Sequence, residues 1–198
     1  AMRERLSGVI DRSTEDLMGI MLDCAERIES MTLDLLDLSR IDREVSGDFA
    51  PGSGLLTCTR MFAAQLGGGV ELRSDVDDKI ITSGRAGDMN HVFMNLLDNA
   101  RRAVGPTGTI EIRGVVAGDY YVVTVGDSGP GIDPQALDHV FEPFWTTRAA
   151  GEGTGLGLSI AREIIEEHGG QILVGASGLG GAQFVVRLPL RAAPRAVA

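Results

Sequence analysis

The sequence predicts an α+β fold: a two-layer α/β sandwich whose mixed, mainly antiparallel sheet carries helices on one face, preceded by a long bundle helix. Three observations predict it. Residues 10 to 38 place apolar side chains at alternating steps of four and three, the spacing of a helix that packs along one seam. Residues 55 to 66 and 86 to 104 then carry helical periodicity, with the strand-like "VELRSDV" between them. Beyond residue 108, segments of period two come in pairs around Gly-rich turns, which favours hairpins over a parallel doubly wound sheet.

The first element is the heptad seam Ile10, Thr14, Leu17, Met21, Cys24, Ile28, Met31, Leu35 and Leu38. Asp11, Glu15, Asp16, Glu26, Arg27 and Glu29 fall between seam positions and read as its solvated face. One helix cannot bury such a stripe alone, so a second copy or another helix is expected to complete a bundle. The text "VSGDFAPGSG" breaks this periodicity and marks a domain boundary near residue 45. A helix is expected near "LLTCTRMFAAQL", a strand near "VELRSDV", and a longer helix through "AGDMNHVFMNLLDNARRAV" that Gly105-Pro106 ends. "TIEIRGVV" and "YYVVTVGD" flank the Ala117-Gly118-Asp119 turn, and "QILVGA" and "AQFVVRLPL" flank a second turn near residue 180.

Composition bounds the function. The chain has 198 residues and 43% hydrophobic content, enough for one core plus an appended element. Its 18 basic and 28 acidic residues leave a net charge of -10, which repels nucleic acid and anionic lipid. No apolar run is long enough to span a membrane, and no signal peptide is visible. Cys24 and Cys58 stand in separate segments without a C-x-x-C pairing, which reads as buried thiols in a reducing, cytoplasmic setting. Ala1-Met2 reads as a scar before a native start, so a longer parent protein is expected.

Four stretches carry chemistry. In "NHVFMNLLDNARRA", Asn95 and Asn99 stand i, i+4 on one helix face, where an amide oxygen is a neutral hard ligand for Mg²⁺. The alternative is that the amides bond neighbouring backbone. In "GDSGPGID", Asp127 closes a strand ahead of Gly129 and Gly131; its carboxylate can accept from an exocyclic adenine amine, or it can simply start a turn. "VFEPFWTTRAAGEGTGLG" sets Phe141, Phe144 and Trp145 before a run of small residues, a composition suited to a lid pinned by Phe141 and Phe144. Arg148 at its hinge can reach a terminal phosphate. Finally Gly153, Gly155 and Gly157 alternate directly before a helix, a phosphate cradle or a flexible loop.

Taken in order, "NLLDN", "DSGPG", "FEPF" and "GTGLGL" resemble the N, G1, F and G2 boxes of the ATP-binding catalytic domain of sensor histidine kinases, of the GHKL type. The resemblance covers roughly residues 46 to 192, and "FEPFWTTR" looks most like the nitrogen-regulation branch. The heptad segment ending "LLDLSRID" resembles the second helix of the kinase dimerisation and phosphoacceptor domain. The resemblance therefore implies a partial dimerisation domain at residues 1–45 and a catalytic domain at 46–198.

It also implies roles. Asn99 would ligate Mg²⁺ and Asn95 would support the phosphates. Asp127 would read the adenine amine, with Gly129 and Gly131 shaping its pocket. Gly153, Thr154, Gly155, Leu156 and Gly157 would set backbone against the triphosphate, and Arg102 and Arg148 would face phosphates. His91 is expected at the margin of the site; His139 and His168 match no functional position. The related ATPases of the gyrase, chaperone and mismatch-repair group carry Glu where Asn95 stands, and an amide cannot act as their hydrolytic base. The implied activity is thus transfer of the γ-phosphate to a histidine, for relay to an aspartate on a response-regulator receiver domain, in a homodimer joined through the heptad helix. The intact protein is compatible with a membrane anchor. The family's acceptor histidine sits further upstream, so this chain is expected to bind ATP without phosphorylating itself. Two other readings are a nucleotide-binding scaffold or degenerate kinase that transfers nothing, and an anti-sigma-type serine kinase.

Overall fold

Residues 47–147 and 154–190 are described by the computed structural model. The heptad segment, with Cys24 and the expected dimer seam, lies outside the described residues, as do Arg148 and Gly153. The boundary stretch is structured from residue 47. β1 (Gly47–Phe49) pairs antiparallel with β3 (Thr82–Gly84) as a separate two-stranded ribbon. α1 (Pro51–Ala63) then starts at Pro51, a turn earlier than its apolar periodicity suggests. Proline suits a first helical position because its missing N–H has no intrahelical partner to lose.

Gly52 and Gly54 in this stretch serve close packing. A Cβ on Gly52 would run into the Asp77 carbonyl, and one on Gly54 would stand 2.6 Å from Asn90 Oδ1. The Tyr121 hydroxyl donates to Asp77 O at 2.7 Å across the same junction.

The main sheet has the order β2-β4-β5-β7-β6, built from β2 (Val70–Val76), β4 (Gly108–Ala117), β5 (Tyr120–Asp127), β6 (Gln171–Ala176) and β7 (Ala182–Pro189). β2 runs parallel to β4, and every other pairing is antiparallel. The sheet is mixed and mainly antiparallel, as the paired alternating segments predict. Its inner face buries Ile110, Ile112, Tyr121, Val123, Val125, Phe184, Val186 and Leu188.

Against that face lie α1, α2 (Ala86–Val104) and α3 (Gly157–Glu167). α2 is the central helix, touching α1, α3, β4 and β5. It buries Met89, Val92, Phe93, Leu96, Leu97, Ala100 and Val104, the spacing of one helical stripe. Asp88 in its first turn and Arg101 and Arg102 in its last complement the helix dipole. Gly105 ends it at φ 64°, a left-handed conformation that glycine adopts without steric cost. α3 buries Ile160, Ala161, Ile164 and Ile165 against the same core.

A histidine ties the start of α2 to the end of α3. His168 Nε2 accepts the Arg85 backbone N–H at 3.0 Å, which leaves Nδ1–H to donate to Ile164 O at 2.7 Å. Arg85 adds ion pairs to Asp88 and Glu167. His168 is therefore structural, in keeping with its absence from the motif positions. Among the described residues no helix is long and apolar enough to cross a membrane.

Candidate nucleotide site

Four segments distant in sequence meet where α2, the end of β5 and the start of α3 converge. α2 presents Asn95, Asn99 and Arg102 on one face, by the i, i+4, i+7 spacing. Asn95 and Asn99 are half-buried. Asn95 Nδ2 donates to Gly157 O at 3.1 Å, so the helix is joined through this amide to the first turn of α3. Arg102 pairs with Asp98 at 2.6 Å, and Arg101 shares that carboxylate from its other oxygen at 2.6 Å. Asp98 thus holds both guanidinium groups near the C-terminal end of α2.

Asp127 ends β5 and is 3% exposed. Its Oδ1 accepts two backbone N–H groups, from Gly129 at 2.8 Å and Ala182 at 3.2 Å. Both described bonds use the same oxygen, which leaves Oδ2 for an external donor. Burial pushes the carboxyl above its ordinary value, and the N–H groups of Gly129 and Ala182 pull it back. The turn is held against its neighbours by close approach. A Cβ on Gly129 would stand 2.8 Å from Ala103 O in the last turn of α2, and one on Gly181 would strike Asp127 Oδ1. Ser128 locks the turn to β4, accepting from Thr109 N–H at 2.8 Å and donating its own N–H to Thr109 O at 3.0 Å.

The aromatic segment is anchored unevenly. Phe141 packs edge-on to Phe184 at 6.4 Å, with the Arg162 guanidinium 5.7 Å over its ring. The Phe144 ring is 74% exposed, so the expected pin at Phe144 is not its side chain. Its backbone makes the attachment: Phe144 N–H donates to Gly155 O at 2.9 Å, with Phe144 at φ 66° and Gly155 at φ 69°. A Cβ on Gly155 would lie 2.5 Å from the Phe144 carbonyl carbon. The two chains approach too closely there for any side chain on residue 155. Thr154 Oγ1 accepts the Leu156 N–H at 3.2 Å, and Leu156 is buried in the core, so the loop enters α3 in a fixed register.

The structure joins Asn95 to Gly157, Asp127 to Gly129, Gly155 to Phe144, Thr154 to Leu156 and Phe141 to α3 through Arg162; it sets Asn99 and Arg102 further along the α2 face that carries Asn95, places Gly131 beside Gly181, and leaves the Phe144 ring exposed. The supporting residues Ser128, Gly181 and Ala182 were missed in the sequence. Their signal was faint: a Gly-Gly-Ala opening to the strand "AQFVVRLP" and a serine inside the Asp-x-Gly-x-Gly run.

Residues 84–192 match the family described as histidine kinase-, DNA gyrase B- and HSP90-like ATPase. The chain belongs to this ATPase family. Among curated relatives it is 44% identical over 103 residues to the sensor histidine kinase ZraS of Salmonella typhimurium strain LT2, covering 52% of this chain and 22% of that protein. It is 30% identical over 201 residues to the sensor protein ChvG of Agrobacterium fabrum, covering 90% of this chain and 34% of the relative. It is 31% identical over 195 residues to the sensor protein SrrB of Staphylococcus aureus, covering 93% and 33%. The chain therefore spans between 22% and 34% of the length of these relatives.

Among solved structures, the catalytic domain of the histidine kinase ThkA superposes with a TM-score of 0.64 at 28% identity, over 74% of this chain and 99% of that one. The mycobacterial sensor histidine kinase MprB shares the fold, with a TM-score of 0.65 at 24% identity over 75% of this chain and all of that one. The domain is a histidine kinase-type ATPase domain of the kind found in sensor kinases.

Proposed function

We propose that this chain is the catalytic part of a two-component sensor kinase, which binds ATP with Mg²⁺ and transfers the γ-phosphate to a histidine. The observation that carries the nucleotide reading is Asp127: a buried carboxylate with one oxygen fixed by two N–H groups and the other left for a donor. Adenine's exocyclic amine supplies such a donor, and the Gly129–Gly131 backbone lets a flat ring lie alongside. Arg102 and the backbone of residues 154–157, where α3 begins, face the phosphate end with positive charge and N–H groups. No cluster of three or more His, Cys, Asp or Glu stands among the described residues. The donor set fits a magnesium carried largely by phosphates and water, with Asn99 contributing one amide oxygen. When bound, Mg²⁺ neutralises charge developing on the phosphates.

Transfer rather than hydrolysis follows from Asn95. Its amide donates to Gly157 O and cannot take a proton from water. A nucleophile brought by another helix then forms a P–N bond as the β–γ bridging P–O bond breaks and ADP leaves. Among the described histidines, His168 is a poor acceptor. His168 engages both ring nitrogens, which supports the expectation that it does not serve as the acceptor. A response-regulator receiver domain is the proposed next acceptor, and a homodimer joined through residues 10–38 the proposed assembly. A cytoplasmic setting agrees with the buried free thiol of Cys58.

The test mixes the chain with Mg²⁺ and γ-labelled ATP and a separately made helix from the full-length protein that carries the acceptor histidine. Acid-labile label on that helix, abolished by Asn99→Ala, is the expected result. Tight ATP binding without any transfer would overturn the kinase reading in favour of a nucleotide-binding scaffold.

A further inference from the structure

We infer that Asn95 is a positioning residue that acts through Gly157, a role distinct from that of a metal ligand. The N–H end of its side chain is the end the fold engages. Nδ2 donates to Gly157 O at 3.1 Å, and a Cβ on Gly157 would stand 3.3 Å from Asn95 Oδ1 and 3.4 Å from its Cγ. The amide therefore packs against the Gly157 backbone, and a side chain on residue 157 would have to push it back by a few tenths of an ångström.

The consequence is geometric. Asn99 sits one turn further along α2, and residues 154–157 lead into α3. Groups on the two helices have to meet one triphosphate, so their spacing has to be held before ligand arrives. In this arrangement Asn95 holds it: a helix carbonyl keeps a second lone pair after its own ladder bond, and Nδ2 takes that lone pair on Gly157. The amide is chosen as a donor, and its oxygen only has to fit beside a bare Cα.

This separates two roles that a pair of asparagines on one helix face makes look alike. A metal ligand needs the side-chain oxygen; a strut needs the N–H. Aspartate in place of Asn95 keeps the oxygen and loses the donor, setting a carboxylate against the Gly157 carbonyl. Alanine loses both without the repulsion.

The inference rests on the nucleotide reading only for its effect on binding; the helix–helix strut stands by itself. The experiment compares Asn95→Ala, Asn95→Asp, Gly157→Ala and the double variant Asn95→Ala with Gly157→Ala. Each is measured by chemical unfolding without nucleotide, and by ATP affinity across a Mg²⁺ titration beside Asn99→Ala. The expected results are a roughly two- to tenfold loss of ATP affinity for Asn95→Ala, as for one hydrogen bond, and a larger loss for Asn95→Asp. Neither changes the Mg²⁺ concentration for half-maximal binding, which Asn99→Ala raises. The double variant is no worse than Gly157→Ala alone, because removing the amide makes room for the new methyl.

Asn95→Asp binding as well as the unsubstituted chain, a raised Mg²⁺ requirement in Asn95→Ala, or strictly additive unfolding effects at 95 and 157 would each overturn the strut. If Gly157→Ala does not fold, the Asp-against-Ala comparison decides alone. If the unsubstituted chain binds no ATP, the nucleotide reading fails, and coupling between positions 95 and 157 in unfolding still supports or overturns the strut.

Discussion

Asp127 shows how a single residue is made specific by its surroundings. A carboxylate in the 3%-exposed pocket at the end of β5 loses most of its water, so its charge is costly unless a donor meets it. Gly129 and Ala182 meet one oxygen, and the nucleotide amine is assigned the other. Asp127→Asn removes the charge while keeping the shape. We expect ATP affinity to fall about 10- to 100-fold, the scale of a hydrogen bond to a charged group, with the unfolding midpoint unchanged or raised. Isothermal titration and chemical denaturation check both halves.

The pH dependence follows from the direction of the Asp127 shift. Burial raises its folded-state value, so its contribution to domain stability is present below the unfolded value and lost as pH rises through the folded one. Binding has the opposite sign, because the amine needs the ionised carboxylate. On acidification through that raised value, ATP affinity should fall before this group costs the fold anything. The Asp127→Asn variant should lose that step in the pH profile.

At the scale of elements, the ties between distant segments matter most. His168 joins the end of α3 to the start of α2 with both ring nitrogens. His168→Ala should lower unfolding stability by about 1–3 kcal/mol, as for two hydrogen bonds, while leaving ATP affinity nearly unchanged. Gly155→Ala should do the reverse. It places a Cβ 2.5 Å from the Phe144 carbonyl carbon at a positive φ, so the loop must shift and ATP affinity should drop at least about tenfold. The segment before that loop reports on itself. His139 is paired with Glu142 at 2.9 Å and stacks on Trp145 at 6.4 Å, and Trp145 is the single tryptophan. The Glu142 hydrogen bond raises the His139 value, so this latch is present at low pH and released as pH rises through that value. Trp145 fluorescence should titrate above the range of a free histidine, and Glu142→Gln should bring the midpoint down.

For the whole molecule, legibility in the sequence tracked locality. The strands from residue 108 onward and α2 were readable, because alternation, the 3.6-residue stripe and the Gly105 stop are local signals. β1 and β3 were not, since "GDF" and "TSG" are too short to alternate. The packing role of "PGSG" was hidden because glycine marks both flexible turns and close helix packing, and only the structure shows Asp77 and Asn90 against it. The parallel β2–β4 pairing was equally hidden, as register between strands that far apart leaves no local trace. Within the candidate site the motif residues stood out, while Ser128, Gly181 and Ala182 did not, because they act by contacts across the sheet. Phe144 was half legible: its position as an attachment point is real, but the attachment is backbone.

The central claim is that these converging segments form an ATP site read by Asp127 and completed by Mg²⁺ at Asn99. Calorimetric titration of the chain with ATP, with and without Mg²⁺, beside Asp127→Asn and Asn99→Ala, tests it most directly. One site is expected, strengthened by Mg²⁺, at least tenfold weaker in Asp127→Asn and requiring more Mg²⁺ in Asn99→Ala. An affinity unchanged by Asp127→Asn would contradict it.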